Sequence, residues 1–133
     1  KGDERALTAL IPAVKSLLKE KDWKARCQGC IASQAIVELS EKGREEVLEL
    51  LAPLLTDRSF QVRQEACSAI GLAADTEDQQ ALELLKPLLA VGVSDDLGGD
   101  KVREAAGNAV REIAAKGGKA WKQNTLQLLK AGL

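Results

Sequence analysis

Cys27-Gln28-Gly29-Cys30 places two nucleophilic, metal-ligating side chains at a familiar spacing. Thiols three residues apart serve zinc sites and dithiol redox centres. A closed zinc site takes four ligands, however, and this chain holds three cysteines and no histidine. Cys30 also stands in register with Cys67 and Gly107 of two later segments, a position where packing wants a small residue. The thiols therefore read as buried small apolar groups, with no metal and no cofactor expected. The carboxylates of Asp95-Asp96-Leu97-Gly98-Gly99-Asp100 lack the alternating spacing and final Glu of an EF-hand, so this stretch reads as a solvated loop.

Other catalytic patterns are missing as well. Without histidine there is no Ser-His or Cys-His nucleophile pair, and the commonest general acid–base is absent. Gly98-Gly99 precedes no Lys-Ser or Lys-Thr, so no phosphate-cradling loop is present. The expectation is a protein that is not an enzyme.

Three arginines, Arg26, Arg63 and Arg103, recur 37 and 40 residues apart. Such a row can form a basic stripe for a phosphate or an acidic partner. Alternatively each pairs with an aspartate beside the adjoining turn, namely Asp22, Asp57 or Asp100, making a structural ladder. The regular recurrence and a net charge of −1 favour the ladder.

The elements carrying these arginines are amphipathic helices. In FQVRQEACSAIGLAA (60–74), Val62, Ala66, Ala69, Ile70 and Ala73 fall on one face at helical spacing. KVREAAGNAVREIA (101–114) and WKARCQGCIASQAIV (23–37) superpose on it once the arginines are aligned. Leu-rich helices stand between them, and LLAPLL (50–55) matches LLKPLL (84–89). A period of this length with two helices per unit predicts an all-α solenoid of antiparallel helix pairs, about seven helices without strands. The chain reads as one domain, with repeats at about 3–42, 43–75 and 76–117 and a half repeat at about 118–133.

Local signals set the expected boundaries. Pro12 predicts a kink or break in the first helix, and Pro53 and Pro87 interrupt the later leucine-rich ones. Asp22 is expected to cap the second helix and Asp57 or Ser59 the fourth. Lys42-Gly43 is expected to close the second helix with a left-handed glycine. Thr76 with Gln79 has capping-box spacing and predicts the start of the fifth helix. VGVSDDLGGD (91–100) predicts a longer, acidic, Gly-rich intra-repeat loop; insertions in repeat arrays map to one face, often the binding face. A last helix is predicted near 119–131, with Trp121 as a packing anchor.

Composition adds limits. Ala and Leu dominate and aromatics are nearly absent, which suits close helix packing and not sheet. No apolar run is long enough to span a bilayer, and no signal-peptide pattern is present. An odd cysteine count suits a reducing compartment, cytoplasmic or nuclear. The chain opens on Lys1 and not Met, and reads as a piece of a longer protein.

Outer helices with paired leucines and a proline, a short Asp-bearing turn and Val-Arg-x-x-Ala-x-x-Ala-[Ile/Val] in the inner helix resemble the HEAT-repeat family. Residues 50–74 and 84–115 carry the motif best, in QVRQEACSAIG and KVREAAGNAVREI. The first unit departs from it, with Ala25 in the Val position and Gly29 in an Ala position. The resemblance implies a right-handed superhelical stack used as a binding surface. A narrower likeness at Trp23-Lys24-Ala25-Arg26 is similar to the first repeat of some TOG domains, HEAT arrays that bind tubulin through intra-repeat loops. It implies contacts from Trp23 and Lys24, then Arg58, then Lys101. A TOG domain has about twice as many repeats, and the third loop here is acidic. HEAT-like iron hydroxylases use His-Glu pairs, and none exists here.

The expected function is a protein–protein interaction scaffold that docks another protein's helix or extended segment. Gln28, Gln64, Glu65, Glu104, Asn108 and Arg111 are the candidate contacts on a shallow concave face. Tubulin binding along a rim is the alternative, and a further one is a non-catalytic segment of a larger enzyme or complex. No nucleic-acid partner and no membrane are expected, whereas neighbouring repeats or weak self-association are.

Overall fold

The computed structural model describes residues 4–89 and 99–131. Seven α-helices and no strand are found among them: α1 (Glu4–Leu18), α2 (Trp23–Leu39), α3 (Gly43–Leu51), α4 (Phe60–Ala73), α5 (Gln79–Leu85), α6 (Gly99–Ala115) and α7 (Lys119–Ala131). The architecture is an α-solenoid. Inner helices α2, α4 and α6 form one row, in which α4 packs against both neighbours. Outer helices α1, α3 and α5 pair with them, and α7 packs on α6 at the end of the stack.

The prolines shape the outer row. α1 runs unbroken through Pro12, which differs from the expected break. Pro53 and Pro87 instead lie in 3-10 turns, Ala52–Thr56 and Lys86–Leu89, that follow α3 and α5. Proline removes a backbone donor and clashes with the carbonyl four residues back, so the last turn tightens to a shorter pattern. The exposed seam between α3 and α5 is a groove of about 930 Å³ whose carboxylates include Glu41, Glu45, Glu49 and Asp78.

A single core runs through the stack. Val14, Ile36, Val47, Leu51, Val62, Ile70, Leu85, Val110 and Ile113 are almost fully buried within it. Close approach of the inner row depends on glycine and alanine. A Cβ added at Gly71 of α4 would stand 3.0 Å from Ala109 Cα of α6. Gly43 is not a left-handed helix terminator but the first residue of α3, buried against α2. A Cβ there would stand 2.5 Å from the Ile36 carbonyl oxygen, so contact and not dihedral freedom requires glycine.

Caps follow partly from sequence. Asp22 caps α2, accepting from Lys24 N–H at 3.0 Å. α4 begins after Ser59, whose hydroxyl bonds Gln61 and not the helix backbone. The capping residue of α5 is Asp78 and not Thr76; it accepts from Ala81 N–H at 3.0 Å. The displacement arises because Glu77 takes a left-handed φ of 49° and anchors elsewhere, its carboxylate accepting from Gly118 N–H at 3.0 Å. Most of the 91–100 loop lies outside the described residues; Gly99 and Asp100 belong to α6. Among the described residues no helix is long and apolar enough to cross a membrane.

Candidate protein-interaction surface

The three arginines have unlike partners. Arg26, buried in the first turn of α2, does not pair with Asp22. Its Nε and Nη2 donate to the two carboxylate oxygens of Asp57 at 2.8 and 3.0 Å, across to the turn before α4. Nη1 donates to the carbonyls of Glu20 and Lys21. Asp22 instead accepts from the Lys24 N–H at the N-terminus of α2. Arg63 Nη1 donates to the Asp57 backbone carbonyl at 2.6 Å, so both arginines grip one turn. Arg103 pairs with Asp100 one turn earlier on its own helix, where the carboxylate is exposed. The Asp57 hydrogen bond holds the Arg26 guanidinium above its ordinary pKa. Burial opposes ionisation of Asp57, but the Arg26 and Ser59 donors outweigh it and hold the carboxyl below its usual range.

All three thiols are free and buried. Burial pushes Cys30 and Cys67 up to about 12 and also raises Cys27. A protonated, enclosed thiol is a poor nucleophile. No group of three His, Cys, Asp or Glu among the described residues is placed to hold a metal.

Exposed positions of the inner row define the open face. Gln64, Glu65, Ser68, Lys101, Glu104 and Asn108 line one shallow groove of about 320 Å³ between α4 and α6. Five of them are residues that the sequence singles out as contacts. Arg111 lies further along α6, donating to Asn108 Oδ1 at 2.8 Å. Gln28 is exposed on α2, outside this groove.

A different edge carries the aromatic and basic residues. Trp23 is 37% exposed, with Lys24 Nζ 5.8 Å from its ring centre. Lys101 Nζ stands 5.4 Å from the Phe60 ring, linking the starts of α6 and α4. Arg58, exposed in the turn before α4, reaches the Lys21 carbonyl at 3.5 Å. Trp23 and Phe60 are the first residues of α2 and α4, and Lys101 is the third of α6.

The sequence model of HEAT repeats matches residues 11–111, well over half of the chain. The chain belongs to the HEAT-repeat family. A search of curated proteins returns no matching relative.

Two contact-capable residues of this HEAT array escape a reading by polarity. Ile31 and Leu72 are 50% and 51% exposed on α2 and α4. Register provides the missing signal: Ile31 aligns with Ser68 and Asn108, both exposed. An apolar residue in a column that is otherwise polar is unlike a core residue. Backbone-directed side chains are harder to foresee. Gln34 Nε2 donates to the Ala69 carbonyl at 3.1 Å, tying α2 to α4. Lys116 Nζ donates to the carbonyls of Gly71 and Ala74 at 2.8 and 2.7 Å, and Arg44 Nη1 to those of Ala73 and Ala74. These cations satisfy the last carbonyls of α4, where the helix dipole favours positive charge.

Proposed function

We propose that this HEAT array is a non-catalytic interaction scaffold that docks a partner protein in the groove between α4 and α6. The observation that carries the reading is the convergence of Gln64, Glu65, Ser68, Lys101, Glu104 and Asn108 on one open groove. Both carboxylates and the ammonium face solvent there or lie half-open to it, so their charges are available to a ligand. Ile31 and Leu72 supply exposed apolar surface on the same row of helices. The groove suits an extended segment or helix carrying basic groups opposite Glu65 and Glu104, with an apolar residue beside Leu72.

The reading is tested with a Glu65→Lys/Glu104→Lys double variant. Proteins that crosslink to the wild-type chain should be lost from the variant while its melting temperature stays within about 2 °C. An unchanged crosslinking profile would remove the groove from consideration.

A second reading rests on the exposed edge of Trp23, Lys24, Arg58 and Lys101. The TOG likeness makes tubulin the partner to try there. Co-sedimentation with purified tubulin, abolished by Trp23→Ala/Lys101→Glu, would support edge binding. Absence of co-sedimentation with the wild-type chain would eliminate it.

A further inference from the structure

Among the described residues, the large apolar side chains that stand exposed are Trp23, Ile31 and Leu72. All three lie on α2 and α4. With Arg26 and Arg63 aligned, Ile31 falls eight residues beyond Trp23, and Leu72 four beyond Ile31. Along the helix direction those steps are about 12 and 6 Å. Lys24, Ile31 and Glu38 recur every seven residues and share one exposed stripe of α2. The equivalent positions on α4 are Gln61, Ser68 and, just past the helix end, Asp75.

The α2–α4 face is therefore basic at one end, apolar in the middle and acidic at the other. Arg58, exposed in the turn before α4, adds to the basic end. Asp22 and Asp57 at that end are committed to the cap of α2 and to Arg26. Arg44, at the acidic end, is committed to carbonyls of α4. Glu20 and Lys42 run against the trend, and their exposed neighbours Lys21 and Glu41 offset them. Glu65 lines the neighbouring α4–α6 groove.

Beyond the Asp22 cap, these signs are the reverse of what α2 favours for its own stability. A helix dipole prefers carboxylates in the first turn and cations in the last. α2 has no acid in its first turn and no base in its last, and carries Lys24 and Glu38 there instead. Charges that a fold disfavours are expected where a ligand uses them. The two poles are 14 residues apart, about 21 Å along the axis. No small ion spans that distance, and a uniformly anionic polymer or membrane would be repelled by Glu38 and Asp75.

We infer that the α2–α4 face receives one amphipathic helix of a partner protein, with acids in its first turn and bases in its last. The inference rests on the scaffold reading and gives it a second surface with a defined ligand. Apolar residues at i, i+7 and i+11 of such a helix rise by about 10.5 and 16.5 Å, matching the heights of Ile31 and Leu72 above Trp23 to about 1.5 Å. Its acids meet Lys24 and Arg58, and its bases meet Glu38 and Asp75, so it runs parallel to α2. The same charge order satisfies the dipole of the incoming helix.

The probe is a side-chain-crosslinked helical peptide of about 16 residues, with two Glu in the first turn, Leu at i, i+7 and i+11, and two Lys in the last turn. Fluorescence anisotropy with the full chain should show saturable binding. A peptide of the same composition with its four charges interleaved should bind at least tenfold more weakly. Lys24→Glu/Arg58→Gln, Glu38→Lys/Asp75→Asn and Ile31→Ser/Leu72→Ser should each weaken the first peptide at least tenfold. Glu38→Lys alone should raise the melting temperature by about 2 °C while weakening the peptide. No saturable binding to the folded wild type, equal binding of the interleaved peptide, or destabilisation by Glu38→Lys would overturn the inference. Equal binding of an all-acidic peptide would also overturn it, assigning the basic end to a uniformly anionic ligand. Peptide binding that fails while crosslinked proteins are still lost from Glu65→Lys/Glu104→Lys would overturn this surface and leave the α4–α6 groove standing.

Discussion

Arg26 and Asp57 stand in successive helix pairs and form a two-point ion pair with 7% and 9% of their side-chain surface exposed. A guanidinium fork matched to a carboxylate is the strongest common form of such a contact. It fixes the start of α2 to the turn before α4.

Removing one member leaves the other charge buried and uncompensated. Arg26→Ala and Asp57→Ala should each cost about 3–5 kcal/mol. The double variant should cost far less than their sum, as read by urea denaturation in a double-mutant cycle. Additive losses would show that the two groups act separately.

Acid should reach the same joint. The folded Asp57 pKa lies below that of the unfolded chain, so its contribution is complete above about pH 4 and is lost as pH falls through the folded value. The melting temperature of the wild type should fall more steeply below pH 4 than that of Asp57→Asn. Parallel acid limbs would contradict the assignment.

The opposite limb belongs to the thiols. Cys30 and Cys67 ionise at about 12 when folded and near 8.5 when unfolded. Both raised values stabilise the fold below about pH 8.5, and that contribution is lost as pH rises towards 12. Cys30→Ala/Cys67→Ala should therefore flatten the stability profile between pH 8.5 and 11. Native protein at pH 8 should react with a thiol-disulfide reagent no faster than it opens.

Gly71→Leu should separate α4 from α6. A side chain there meets backbone and Cβ of Ala109 at 3.0 Å, and overpacking of about 1–3 kcal/mol or more exceeds the gain of about 1 kcal/mol in helix propensity. Gly107→Ala, whose Cβ meets Leu129 Cδ2 at 3.7 Å and Arg111 Nη1 at 3.9 Å, should by contrast raise stability by up to about 1 kcal/mol. Thermal denaturation of the two variants side by side checks the contrast.

Lys116→Met should cost about 1–2 kcal/mol by leaving α4 carbonyls without their donor. Arg44 still reaches one of those carbonyls, Ala74, and the neighbouring one of Ala73, so the loss should double in Arg44→Met/Lys116→Met. Chemical denaturation of the three proteins measures it.

Helix identity and order were legible because periodicity survives tertiary context. α7 spans Lys119–Ala131 and α2 begins at Trp23, where spacing and caps place them. What the sequence conceals is partnership across pairs. Asp22 is the nearest aspartate to Arg26 along the chain, but Asp57 is the one that faces it. Thr76 has a cap's spacing, yet the left-handed turn at Glu77 passes that role to Asp78. The open groove was partly legible, since Gln64, Glu65, Glu104 and Asn108 are polar residues on the outward side of apolar helices. Ile31 and Leu72 were hidden because exposure of an apolar residue depends on where neighbouring helices stop.

Helices α3 and α5 give way to proline-bearing turns and leave an acidic gap between them, whereas α4 and α6 touch through glycine and alanine. Such a stack behaves like a book bound along one spine. Flexing should open or shut the outer pages while the spine keeps its length, so a ligand seated on the spine meets a nearly constant surface however the covers breathe.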